Sequence, residues 1–119
     1  MKAVVVDRAA PGGLKLADVA PPEPLPFEAL VRVAAVSLNL GEVRRAKNLA
    51  DGWRPGWDFA GFVEAAARDG SGPPAGARVV GMLGEGAWAE RVAAPTKSIT
   101  VLPDGVTFER AATLPVAGR

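Results

Sequence analysis

The sequence predicts a mainly β domain with short helices, curled into a partly open barrel. Two observations carry that reading. Short apolar and β-branched runs recur along the whole chain, and Gly (14) and Pro (11) together supply 25 of 119 residues. Those 25 separate the runs instead of gathering in repeats, which is the pattern of many turns between short strands. A third observation is negative: no βαβ alternation and no fixed-period repeat is visible.

The elements follow in order. Residues 2–7 (KAVVVD) form a β-branched run that ends near the Pro11-Gly12-Gly13 turn. Residues 14–20 (LKLADVA) alternate apolar and polar and read as its neighbour. Pro21-Pro22-Glu23-Pro24-Leu25-Pro26 is a stiff extended connector, because proline fixes φ and favours an extended chain. Residues 27–38 (FEALVRVAAVSL) are the longest strand candidate, with Val31, Val33 and Ala35 on one face and Arg32 on the other. Asn39 is a good N-cap and Glu42 sits three residues on, so a short helix is predicted over 40–47. Its basic residues fall toward the C-terminal end, where the helix dipole favours them.

Asp51-Gly52 marks a turn, and residues 59–67 (FAGFVEAAA) read as a strand despite their alanines. Gly61 in its middle points to a bulge or a close backbone approach. Residues 69–76 are a loop, and 77–83 (ARVVGML) the next strand. Gly84-Glu85-Gly86 is read as a tight turn into a strand over 87–94 (AWAERVAA). Residues 98–102 (SITVL) form a last short strand, and Pro103-Asp104-Gly105 a turn. Thr107 is placed to cap a short helix that runs to Ala112 and stops before Pro115.

Composition bounds the chemistry. A chain of 119 residues is the size of one domain and can build its own core. Its 49% hydrophobic and 23% charged residues are those of an ordinary globular chain. There is no Cys and no His. That excludes disulfides, thiolate nucleophiles, imidazole bases and sulfur or imidazole metal sites. Fourteen basic residues against 13 acidic ones give a net charge of +1, so no nucleic-acid footprint is expected. Arg44, Arg45 and Lys47 are the only tight basic group and read as a solvated helix face. No apolar run approaches the length of a membrane span, and the first seven residues are too short and too charged for a signal peptide. A cytoplasmic location is expected.

Several motifs then occur together in one order. They are Ser37-Leu38-Asn39, the run Arg54-Pro55-Gly56-Trp57-Asp58-Phe59-Ala60-Gly61-Phe62-Val63, Gly76-Ala77-Arg78-Val79-Val80-Gly81, Gly86-Ala87-Trp88-Ala89-Glu90, Leu102-Pro103-Asp104-Gly105, and Ala111-Ala112-Thr113-Leu114-Pro115-Val116-Ala117-Gly118. Nearly the whole chain thereby resembles the N-terminal, GroES-like domain of the medium-chain dehydrogenase/reductases. Within that superfamily it is most similar to the zinc-free quinone oxidoreductase branch.

The resemblance implies a GroES-like, partly open β-barrel over residues 1–119. It also leads us to expect a nucleotide-binding Rossmann domain after residue 119, which this chain does not include. It implies hydride transfer from NADPH to a polarised C=C, in a quinone or an enone. Such chemistry suits a chain without His or Cys, since the cofactor carries the reaction and the protein positions the reactants. Zinc-dependent relatives carry Cys and His around the place of Leu40, so no metal is expected here. Gly81-x-x-Gly84-x-Gly86 joins two strands instead of opening a helix, so it reads as a hairpin turn with no pyrophosphate cradle. The chain alone is therefore expected to be inactive.

Site residues are implied position by position. Asn39 and Leu40 stand where relatives meet the nicotinamide, and Gly118 at the hinge where the cofactor lies. Asn39 also reads as a pure helix cap, and Leu40 as a core leucine. Arg44, one turn on from Leu40, stands where relatives line the substrate pocket, or simply on the surface. Trp57 reads as a pocket wall or as core. Asp58 reads more as a pin for neighbouring backbone or an Arg than as a proton donor. The alternative function is a non-catalytic GroES-like module that binds a partner. A homo-oligomer can also form through the inter-domain surface that residues 39–43 and 114–118 would leave uncovered.

Overall fold

The computed structural model describes residues 1–7, 9–10, 13–36, 54, 56, 58–83, 86–108 and 110–111. Within them seven strands form two antiparallel sheets. Strands β1 (Lys2–Val6) and β2 (Leu14–Asp18) make a hairpin. Strands β3 (Glu28–Val36), β4 (Asp58–Ala65), β5 (Arg78–Met82), β6 (Arg91–Pro95) and β7 (Ile99–Val101) make a curled half-barrel in the order β6-β3-β4-β5-β7. A 3-10 turn, Thr96–Ser98, joins β6 to β7. The mainly β, GroES-like class is the one the turn-rich sequence predicts.

Burial follows the strand alternation. Arg32 faces solvent while Ala29 and Val31 before it are fully buried and Val33 after it is half-buried. The main core joins Val31, Phe59, Val63, Val79, Val92 and Ile99. A smaller cluster of Ala60, Leu102 and Ala111 covers the other face, with Val80 and Phe108 against it. Strand β4 is therefore buried on both faces over its first half, which explains its near-continuous apolar run.

Gly61 sits at the tightest point of the sheet. A Cβ there would lie 2.0 Å from the carbonyl oxygen of Arg32. The β3–β4 register shifts at the same place, between Val33 and Ala35. The alternatives left open for Gly61, bulge or close approach, are both realised. A bulge bends its strand and increases the twist. Beyond it, β3 stays paired with β4 through Val36 but with β6 only over residues 28–32. Residues 34–36 therefore carry no strand on their β6 side among the described residues.

Two expectations need correction. Residues 87–94 were expected to form a strand, but β6 starts at Arg91. Residues 87–90 bend instead to meet β1: Val4 N–H donates to Trp88 O at 2.9 Å, Glu90 N–H donates to Lys2 O at 3.0 Å, and Ala3 bridges Ala89. The Gly81–Gly86 stretch was expected to be a hairpin turn, yet β5 and β6 do not pair. Strands β4 and β3 lie between them, so this connection crosses the sheet. Other bounds move by a residue or two. The helix over 40–47 lies outside the described residues. Thr107 does cap: its Oγ1 accepts the N–H of Arg110 at 3.2 Å, and Ala111 N–H donates to Thr107 O at 2.9 Å.

Charge pairs clamp the β1–β2 hairpin. Lys2 meets Asp18 at 2.8 Å near one end, and Lys15 meets Asp7 at 3.1 Å near the other. Lys2 holds the Asp18 carboxyl below its ordinary value of 3.8. For Asp7 the backbone N–H of Ala9 is the larger cause and Lys15 the second. Folding lowers both pKa values, so their stabilisation is complete above the unfolded value and disappears as pH falls through the folded ones.

Two outcomes follow. Gly61→Ala should cost roughly 2–3 kcal/mol, read as a lower midpoint in urea, because the intruding methyl meets backbone that cannot rotate away. Asp18→Asn should leave the midpoint nearly unchanged below pH 3 and reduce it at neutral pH. A variant curve parallel to the parent across that range would contradict the clamp.

Candidate functional site

The end of the sheet where β3 exits and β4 enters gathers the described residues of interest. Val36 pairs with Phe59 there, and Asp58 with Met82. Val36 immediately precedes Ser37-Leu38-Asn39, and Asp58 immediately follows Trp57. The segment before β4 reaches this end through a close backbone contact. Gly56 has φ +114°, which favours glycine, and a Cβ there would come within 2.5 Å of the Trp88 nitrogen. Ala87 N–H donates to Gly56 O at 3.1 Å, and Gly86 N–H donates to Arg54 O at 2.8 Å. Residues 86–88 are thus stitched to the Arg54-to-Gly56 backbone on one side and, through Trp88 O, to β1 on the other.

Asp58 is fully buried. It is the one buried charged residue among those described, and its carboxylate is sealed from solvent. Arg54 reaches the same region of the chain, and its Nε is buried with no hydrogen-bond partner among the described residues. Burying a carboxylate is costly unless its surroundings stabilise it. Such a group serves to position neighbouring backbone more readily than to exchange protons with a solvent-borne substrate.

Beside this end lies an open groove of about 660 Å³. It is lined by Val33 and the open edge of β3 at residues 34–36, and by the β1–β2 hairpin, with Val4, Leu14 and Leu16 contributing aliphatic surface; Trp88 and Ala89 complete the lining. Lys2, Lys15 and Glu90 supply its charges. The volume is in the range of small-molecule sites and the lining is mostly apolar.

Of the six residues singled out from the sequence, Asp58 alone is described. It sits at the sheet end, behind the surface instead of on the groove wall. Asn39, Leu40, Arg44, Trp57 and Gly118 lie outside the described residues. Trp88 was missed as a site residue, because its segment reads locally as a strand. The signal was present in Gly86-Ala87-Trp88-Ala89-Glu90, where an aromatic follows a flexible turn. The groove itself had no signal, since it joins residues near positions 4, 15, 35 and 88.

No described residue supplies a phosphate cradle. The helical pieces among the described residues are short: the 3-10 turn Thr96–Ser98, the turn after Thr107 and a 3-10 residue at Gly13. No group of three or more Asp or Glu that could hold a metal occurs among the described residues. No helix among them is long and apolar enough to cross a membrane.

Comparison with known proteins places this geometry. Residues 25–104 match the family model "Alcohol dehydrogenase GroES-like domain". The chain is 35% identical over 124 residues to the mouse "Synaptic vesicle membrane protein VAT-1 homolog-like", covering 98% of this chain and 29% of that protein. It is 37% identical over 100 residues to the "Trans-enoyl reductase opdC" of Penicillium oxalicum, covering 74% of this chain and 27% of the relative. The quinone oxidoreductase of Thermus thermophilus, solved also as its complex with NADPH, superposes with a TM-score of 0.78 at 33% identity. That match covers 98% of this chain and 37% of the other. The chain thus spans under a third of the two curated relatives.

A buried carboxylate at a strand start should be sensitive to size and polarity together. Asp58→Ala should lower stability by about 2–3 kcal/mol, since it leaves a gap and strands polar neighbours. Asp58→Asn, which keeps the shape and half the acceptors, should lose less. Equal midpoints for parent and Asp58→Ala would show that the carboxylate holds nothing in place.

Proposed function

Because the chain belongs to the alcohol dehydrogenase GroES-like domain family of the medium-chain dehydrogenase/reductases, we propose that it is the substrate-side domain of an NADPH-dependent oxidoreductase that works without zinc. The single observation that carries the proposal is the match over residues 25–104. The acceptor is a quinone or an enone-type C=C. A quinone oxidoreductase and a trans-enoyl reductase among the similar proteins support that choice. The NADPH complex of the Thermus enzyme supports the cofactor.

The fit of the cofactor is partial. The described residues offer apolar surface and backbone for a flat ring, but nothing for a pyrophosphate. The main dinucleotide site therefore belongs to a second domain, and NADPH when bound supplies the hydride. This domain's own part is to bind and orient the acceptor and to exclude water. The apolar walls of the groove and Trp88 provide the surface. In the proposal Arg44 and Trp57 border the acceptor, while Asp58, sealed behind the surface, positions the start of the strand that carries it. Asn39, Leu40 and Gly118 meet the cofactor. The absence of Cys and His from the sequence leaves no ligand set of the zinc-dependent kind. A cytoplasmic location belongs to the same proposal, although several relatives carry a vesicle-membrane name. An inter-domain surface over residues 39–43 and 114–118 would dock that second domain.

Calorimetric titration tests the division of labour. The 119-residue chain should show no saturable NADPH binding up to about 1 mM, because the specific phosphate contacts are elsewhere. An alkyl p-benzoquinone should quench the tryptophan emission saturably, without NADPH oxidation. A micromolar NADPH constant, or a quinone with no effect on the tryptophans, would overturn the proposal and favour the non-catalytic module.

A further inference from the structure

Two Asp-Gly steps stand exposed among the described residues. We propose that one of them, Asp104-Gly105, is a site of spontaneous isomerisation to isoaspartate, while the fold protects the other, Asp69-Gly70. In such a step the backbone nitrogen of the glycine attacks the side-chain carboxyl carbon of the aspartate. A C–N bond forms, a C–O bond breaks, and the amide proton leaves with the hydroxyl as water. Water then reopens the five-membered succinimide at either carbonyl. One opening restores aspartate; the other leaves the main chain running through the side-chain carboxyl carbon. Glycine favours closure because it has no Cβ to crowd the ring. The reaction needs no oxidant, reductant or cofactor.

Closure requires that the nitrogen and the carboxyl both be released and that the peptide between them rotate. At Asp69-Gly70 all of these are held. Asp69 N–H donates to Pro26 O at 3.0 Å, and Gly70 N–H donates to Ala67 O at 3.1 Å. Asp69 Oδ1 accepts the Ser71 N–H at 2.8 Å and the Ser71 hydroxyl at 2.5 Å. Ser71 Oγ also lies 2.8 Å from Thr96 Oγ1, which ties the loop to the turn between β6 and β7. The same Ser71 bonds, hydroxyl first and N–H second, hold the Asp69 carboxyl below its ordinary value of 3.8. Less of it is then in the protonated form, the one that can lose a hydroxyl.

At Asp104-Gly105 the corresponding groups are released. Both residues are exposed, Gly105 has φ +86°, and nothing lies within 4 Å of where its Cβ would stand. Among the described residues no hydrogen bond engages the Gly105 N–H, and no hydrogen bond or ion pair engages the Asp104 carboxylate. One bond spans the turn, from Val106 N–H to Pro103 O, and at 3.4 Å it is long. A turn held so lightly opens without disturbing the sheet. The isomer adds a carbon to the main chain between Leu102 and Phe108, which pack in the smaller core cluster, and so loosens that cluster. None of these residues belongs to the groove or to the β3–β4 end, so the inference does not depend on the proposed reaction.

The whole chain, kept folded for several weeks at neutral pH and then cleaved after glutamate, separates the sites. Asp69 falls in Ala65–Glu85 and Asp104 in Arg91–Glu109. A third Asp-Gly step, Asp51-Gly52, lies outside the described residues and falls in Val43–Glu64. Methyl transfer from S-adenosylmethionine by an isoaspartyl methyltransferase measures the isomer in each peptide. In the folded chain Asp104 should yield about tenfold more isoaspartate than Asp69, because several bonds must open together at Asp69. In guanidinium chloride, where neither turn persists, the two yields should converge. Ser71→Ala should raise the Asp69 yield about threefold and leave that of Asp104 unchanged. Equal yields in the folded chain, or a larger one at Asp69, would overturn the proposal. So would a preference that persists in guanidinium chloride, which would belong to the neighbouring sequence and not to the fold. A Ser71→Ala chain with the parent's yield at Asp69 would overturn the protection assigned to that residue.

Discussion

The approach of β4 to β3 at Gly61 is the constraint on which the rest of the architecture depends. With 2.0 Å between an imagined Cβ and the Arg32 oxygen, only hydrogen is tolerated at that position. The two central strands can then press together while β3 takes an extra residue between Val33 and Ala35. The extra residue bends β3, and the bend releases it from β6 after Arg32. One local intrusion thereby curls the sheet and opens the edge that forms a wall of the groove.

Residues 87–90 hold the two sheets together. They bond to β1 through Trp88 and Glu90, and to the Gly56 carbonyl through Ala87. Because Gly56 is two residues before Asp58, the hairpin, the crossing connection and the start of β4 are mechanically joined. A change at the hairpin is transmitted to the sheet end by backbone hydrogen bonds, not through side-chain packing alone. The surface charge pairs of the hairpin have a smaller part: exposed pairs contribute little each.

The chemistry that fits this domain is the chemistry of positioning. A chain without Cys and His has no thiolate or imidazole chemistry of its own. What the described residues offer is an apolar wall, a buried carboxylate at a strand start, and a tryptophan in the groove lining. In the function proposed above, these features orient an electron-poor acceptor. The similar proteins share the fold over a region that is only a part of their own length, so the remaining machinery belongs to other parts of such proteins.

Much of the fold was legible because it is set by neighbours within a few residues. Alternating burial along β3, the cap at Thr107 and the turn at Pro103-Asp104-Gly105 each depend on groups close in sequence. Gly61 announced a special contact, since a glycine inside an apolar strand is hard to explain otherwise. Its partner, an oxygen 29 positions earlier, was decided only by the pairing of β3 with β4. The start of β6 was misjudged because the run from Ala87 is good strand sequence, and only contact with β1 turns it aside. The crossing from β5 to β6 was unreadable for a related reason: glycines that suit a hairpin suit a crossover equally. Asp58 could be named from its motif, but its complete burial depends on strands packed from both faces. The sequence by itself determined the local conformations and the absence of imidazole and thiolate chemistry. Which strands pair, and hence where the groove opens, was left to the tertiary structure, because those contacts join residues too far apart for any local rule to couple.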